Sequence, residues 1–145
     1  MTALAADTDI LERASPTSQL FAEVGTDSTQ YYKGGIVCIS TATGKVVKGS
    51  TAATLIAIGR CEENVLTGTS NTRKIKARTG TFKYANSSAA DLIAADDIGA
   101  PCYIVDDQTV ALTSNSSARS RAGIVEGVDS DGGVWVRFTL PNSIS

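Results

Sequence analysis

From Gly34 onward, short apolar runs alternate with polar turn residues, and the runs are too brief and too β-branched to read as helices. Ile36–Ser40 reads as a strand, Thr41–Gly44 as a turn and Lys45–Lys48 as the returning strand. The small residues 49–53 form a loop, and Thr54–Cys61 is the next strand. Gly59 lies inside it, where glycine marks a bulge or a close backbone approach. Residues 64–72 read as loop. Arg73–Tyr84 is the longest strand candidate, with Lys74, Lys76 and Arg78 alternating with Ile75, Ala77 and Thr79. Past Gly80 the alternation slips by one residue. A bulge there returns Phe82 and Tyr84 to the face of Ile75 and Ala77.

The second half repeats the scheme around Ile98–Leu112, which reads as strand, acidic turn at Asp106-Asp107, and strand. Ser88-Ala89-Ala90-Asp91 has the form of a capping box ahead of a short helix or wound loop at Leu92–Ala95, closed by Asp96-Asp97. Thr113–Ser120 is a Ser/Asn loop with Arg119 and Arg121 at its exit. Ala122–Val128 is a strand, Asp129–Gly133 a tight turn and Val134–Leu140 the last strand, with Val134, Val136 and Phe138 on one face and Trp135 and Arg137 on the other. Sliding the chain on itself by 64 places pairs Gly35 with Gly99, Cys38 with Cys102, Val46 with Val110 and Ser50 with Ser114. It also pairs Gly59 with Gly123, Glu62 with Glu126, Gly68 with Gly132 and Arg73 with Arg137. Eight identities, where chance gives roughly three, point to two similar β units. Gly-, Ser- and Val-rich strands matching by accident is the competing explanation.

Residues 1–33 lack a clear period. They read either as an extended arm that gains order by lying on something or as a disordered tail, with a helical turn near Asp9–Ala14 and a strand at Gln19–Val24 as local options. The organisation expected is therefore an N-terminal arm (1–33), a single β-rich body (34–141) and a C-terminal tail (142–145). The fold class expected is all-β, a compact barrel or sandwich-like body of two similar units with at most one or two helical turns.

Composition narrows the chemistry. The 145 residues carry a net charge of -2 with no long run of either sign, which argues against nucleic acid or an anionic membrane as partner. No stretch is long and apolar enough to span a bilayer, and the first residues do not read as a secretory signal. Cys38, Cys61 and Cys102 are odd in number with no close pair, which argues against a disulfide framework or a zinc site and points to a reducing cytosol; Cys38 and Cys102, at equivalent repeat positions inside apolar strands, read as small buried hydrophobes. There is no histidine, which removes the commonest general base and imidazole metal ligand. Asp96-Asp97 and Asp106-Asp107 read as turn formers, Lys74, Lys76 and Arg78 as a solvated face, and Arg119 and Arg121 as solvent or partner contacts. No catalytic, cofactor-binding or metal residues are assigned.

Three strings carry a resemblance: Gly80-Thr81-Phe82-Lys83-Tyr84, the run from Asp97 through Ala100-Pro101-Cys102-Tyr103 to Val110, and Ala122-Gly123-Ile124-Val125, followed by a Val-Trp-Val strand. Over about residues 30–140 the chain resembles the head decoration, or capsid cement, proteins of tailed bacteriophages. The resemblance implies a structural β protein on the outer surface of an expanded head. It would bind the major capsid protein as a homo-oligomer, a trimer or else a dimer, with an N-terminal arm that adds a strand to the shell. It implies no enzyme activity and no cofactor. A ligand- or carbohydrate-binding adhesion module is the alternative, with Tyr31, Tyr32, Tyr84, Tyr103 and Trp135 as its stacking rings. A small enzyme is the third option, disfavoured by the absence of a nucleophile paired with a base.

Overall fold

The computed structural model describes residues 3–13 and 20–138. The strands, in chain order, are β1 (Glu12–Arg13), β2 (Leu20–Val24), β3 (Gln30–Tyr31), β4 (Ile36–Ser40), β5 (Val46–Lys48), β6 (Leu55–Cys61) and β7 (Val65–Leu66). They continue with β8 (Lys74–Arg78), β9 (Gly80–Tyr84), β10 (Pro101–Asp106), β11 (Thr109–Ala111), β12 (Arg121–Val128) and β13 (Val134–Phe138). One sheet has the order β2-β8-β6-β4-β5 and the other β9-β13-β12-β10-β11, with β1 added outside β9. All these pairings are antiparallel. The body is an all-β sandwich and not a closed barrel.

The two sheets are built to one plan. In each, a first strand (β2, β9) pairs with the last (β8, β13), and a hairpin (β4-β5, β10-β11) and a long strand (β6, β12) complete the order. The chain beyond the first strand then returns to the hairpin's outer strand through a parallel bridge, Gly25 to Val46 in one unit and Ala85 to Thr109 in the other. The long strand is bulged at matching places. Between the pairs Val37–Gly59 and Cys38–Ala57 the extra residue is Ile58, and between Cys102–Gly123 and Tyr103–Arg121 it is Ala122, 64 positions later. A glycine follows each bulge because the neighbouring strand's backbone lies against it. Glu62 pairs with Arg78 and Glu126 with Arg137. The ungapped alignment that matched Arg73 to Arg137 therefore loses register after Glu62: Arg78 opposes Arg60 on β6 as Arg137 opposes Ile124 on β12.

Alternation explains the burial. Ile36 and Cys38 of β4, with Ala57 of β6, face the second sheet and join Phe82, Tyr84, Ile104, Val125, Val136 and Phe138 in the larger apolar cluster. Val37 and Ile58 face the opposite way, with Tyr31, Val46, Val65, Ile75 and Ala77. A strand covered on both faces reads as an uninterrupted apolar run, as Ile-Val-Cys-Ile does. Tyr31 is fully buried; its hydroxyl donates to the Val46 carbonyl and accepts the Thr26 N–H at 2.9 Å. Val134, Val136 and Phe138 are buried together as expected, and the 129–133 turn closes through Gly132 N–H to the Asp129 carbonyl at 2.9 Å.

Several expectations are corrected. Arg73–Tyr84 is not one bulged strand. The chain crosses from one sheet to the other between Arg78 and Gly80, so Ile75 and Ala77 enter one cluster while Phe82 and Tyr84 enter the other. The expected loop 64–72 contains β7, which pairs with β3 and covers the outer face of the first unit. Ser88 makes no capping bond, and of the two options at Leu92–Ala95 the wound loop is found, between single 3-10 turns at Ala89–Asp91 and Ala95–Asp97. In the 98–112 hairpin the strand starts at Pro101, and the turn falls at Asp107-Gln108. Glu12–Arg13 form a strand where a helical turn over Asp9–Ala14 was an option; Ala14, Gln19, Thr139, Leu140 and the expected tail lie outside the described residues. Of the stretch read as an arm, residues 20–33 are built into the first unit and residues 4–13 lie across both.

Candidate functional site

The N-terminal segment is the one described element that belongs to neither unit and touches both. On the first unit, the Asp7 carboxylate accepts the Lys33 N–H at 3.0 Å and the Asn64 side-chain amide at 2.8 Å, and Thr8 N–H donates to the Lys33 carbonyl at 3.0 Å. On the second, Lys83 N–H donates to the Leu11 carbonyl at 3.0 Å, and Glu12 and Arg13 stand opposite Phe82 and Thr81. This strap extends the second sheet by β-addition, with main-chain bonds giving adhesion irrespective of side-chain identity.

Arg60 ties the strap to the seam between the units. Its guanidinium donates to the Ile10 carbonyl at 2.8 Å and to both Glu62 oxygens at 2.7 and 3.2 Å, lies 3.7 Å from Glu12, and sits 4.3 Å over the Phe82 ring. Burial opposes ionisation of Glu62, but the bonds from Arg60 and Arg78 outweigh it and hold its carboxyl below the usual range.

The far end of the strap is held by a buried carboxylate. Asp107, only 1% exposed, accepts the Leu4 N–H at 2.9 Å, while its own carbonyl accepts the Ile36 N–H at 2.8 Å. Leu4 is itself buried. Desolvation pushes the Asp107 carboxyl above its ordinary value against the weaker pull of the Leu4 N–H and Lys48. A raised folded-state value means that the stability this group contributes is complete below the ordinary carboxylate range. It is lost as pH rises through the elevated value. Asp107→Asn keeps an acceptor for Leu4 without a charge to desolvate. It is expected to protect the Leu4 amide from hydrogen exchange more strongly at neutral pH and to abolish the pH dependence of that protection. Asp107→Leu leaves the Leu4 N–H unpaired, at a cost of about 1–3 kcal/mol confined to the strap.

The other residues singled out in the sequence are dispersed. The three cysteines are free and buried; desolvation raises the Cys61 thiol to about 11 and the Cys102 thiol to about 12, with Cys38 raised as well. Such thiols are not nucleophiles near neutral pH. Asp106 accepts the Gln108 N–H and Asp97 the Ala94 N–H, both as turn residues. Arg119 pairs with Asp91 at 3.2 Å and donates to the Thr113 carbonyl, so it locks its own loop. Of the stacking candidates, Tyr31, Tyr84 and Trp135 lie in the interior, leaving Tyr32 and Tyr103 partly exposed. Among the described residues no cluster of His, Cys, Asp or Glu is placed to hold a metal ion, and no helix is long and apolar enough to cross a membrane. An open cleft of about 590 Å³ beside the strap is lined by Ile10, Leu11 and Leu92 and by the Lys83–Asp131 pair at 2.7 Å. Sequence reasoning missed Asp107 and Arg60: an aspartate in a two-residue turn looks like any turn former, and an arginine on a strand looks like a surface charge.

No protein-family profile, curated protein or solved structure matches this chain.

Proposed function

We propose that this protein is a capsid cement protein of a tailed bacteriophage, attached to the outer surface of the expanded head and bridging neighbouring subunits of the major capsid protein. The observation that carries the reading is the strap. A ten-residue segment with hydrogen-bond partners on both β units is the kind of element a stapling protein needs, because its backbone adds to a sheet edge. The resemblance of the Asp97–Val110, Gly80–Tyr84 and Ala122–Val125 strings supports the same conclusion. Assembly as a homotrimer joins three weak attachments into one multivalent contact, which gains avidity without any new bond. The protein is then made in the host cytoplasm and resides on the virion.

Cosedimentation with expanded and unexpanded heads tests the proposal. Binding to expanded heads alone is expected. Removal of residues 1–13 leaves both sheets paired and is expected to weaken attachment by at least tenfold with little change in far-ultraviolet circular dichroism. A purified protein that stays in the supernatant with mature heads contradicts the reading.

A further inference from the structure

The duplication of the β unit makes one sheet edge conspicuous. In the second unit the outer edge of β9 is covered by β1. The outer strands of both hairpins are also covered: Thr26 N–H donates to the Val46 carbonyl at 3.0 Å beside β5, and Val110 N–H donates to the Ala85 carbonyl at 2.9 Å on β11. The matching edge in the first unit, that of β2, has no backbone neighbour on its outer side among the described residues. Its pairing with β8 runs from Leu20–Arg78 to Val24–Lys74 without a register shift, so the edge is regular, with neither the bulge nor the proline that natural edges use to repel a partner. Leu20 is 56% exposed. Ala22 and Val24 stand opposite Lys76 and Lys74, two exposed cations on the same face.

The equivalent edge shows what fits. There the occupant is extended and antiparallel: Glu12 and Arg13 stand opposite Phe82 and Thr81, and Glu12 approaches Arg60. We propose that the β2 edge accepts an extended acidic strand of the shell protein, added antiparallel, with its carboxylates directed at Lys74 and Lys76. This rests on the cement reading for the identity of the partner. The chain has one strap and two like edges, and in the free chain the strap's bonds to Asp107, Lys33 and Arg60 hold it on β9. The second edge is therefore left for a strand that the described residues do not supply.

The test is hydrogen exchange of the full chain, free and bound to expanded heads, combined with cosedimentation of Lys74→Glu/Lys76→Glu and of Leu20→Lys. All three side chains are exposed, so both variants should fold, which a thermal melt checks. Slowed exchange at Leu20–Val24 on binding, with at least tenfold weaker attachment of both variants, is the expected result. Head binding with unchanged exchange over Leu20–Val24 overturns the edge proposal and leaves the cement reading standing. No head binding by the unaltered chain overturns both. Concentration-dependent self-association that protects Leu20–Val24 without heads overturns it in favour of a second copy as the occupant.

Discussion

Alanine at Gly59 or at Gly123 is expected to cost roughly 3 kcal/mol or more, a large share of the stability of a domain this size. A Cβ at Gly59 would lie 2.1 Å from the Arg78 carbonyl oxygen, and one at Gly123 would lie 2.2 Å from that of Arg137. Both obstacles are backbone in a paired neighbouring strand, so neither can swing aside as a side chain would. Gly59 also has φ of +126°, which a Cβ disfavours. Urea denaturation measures the effect, with Gly68→Ala as the control because nothing lies near its added methyl. The control should fall within about 0.5 kcal/mol of the parent. Similar losses at both sites would show that the two units use the same bulge for the same reason. A loss below about 1 kcal/mol at either site would contradict the close approach.

Phe138→Ala is the second large effect, expected at about 3–5 kcal/mol. The ring is 1% exposed and meets Phe82 at 6.1 Å and Tyr84 edge-on at 5.9 Å between centroids. The Tyr84 hydroxyl donates to the Gly34 carbonyl at 2.8 Å, reaching across to the first unit. The aromatic trio thus lies where the units meet, and a cavity there cannot be refilled by one sheet moving alone. Because Phe82 shares the site, the double variant with Phe82→Ala should lose less than the sum of the two single losses. Leu92→Ala, at a side chain 49% exposed, should change stability by no more than about 0.5 kcal/mol. Additive losses in the double variant would mean that the two rings do not share a cavity.

Much of the architecture was legible from patterning, since strands and turns are local. The hairpin around Asp106-Asp107, the 36–48 hairpin and the Val134–Phe138 alternation follow from side-chain period and turn chemistry. The repeat was legible too, because a bulged strand against a close neighbour requires glycine at the same place in each unit. The segment 73–84 misled because a bulge and a change of sheet leave the same trace, a one-residue slip in alternation at a glycine. Within residues 20–33 the strand option at Leu20–Val24 was legible, while β3, only two residues long, left no period to read.

The sequence by itself determined the strand-forming segments, their turns, the duplication and the absence of histidine chemistry, which depend on near neighbours, on self-similarity along the chain or on composition. Tertiary structure alone decided which sheet each strand joins, that Asp107 is buried against Leu4 103 residues away, that Arg60 sits over Phe82, and that β2 keeps an open edge. The physical reason is that burial and pairing between distant segments depend on how the two units pack together. That packing is a property of surfaces assembled from the whole chain, which no local window of residues contains.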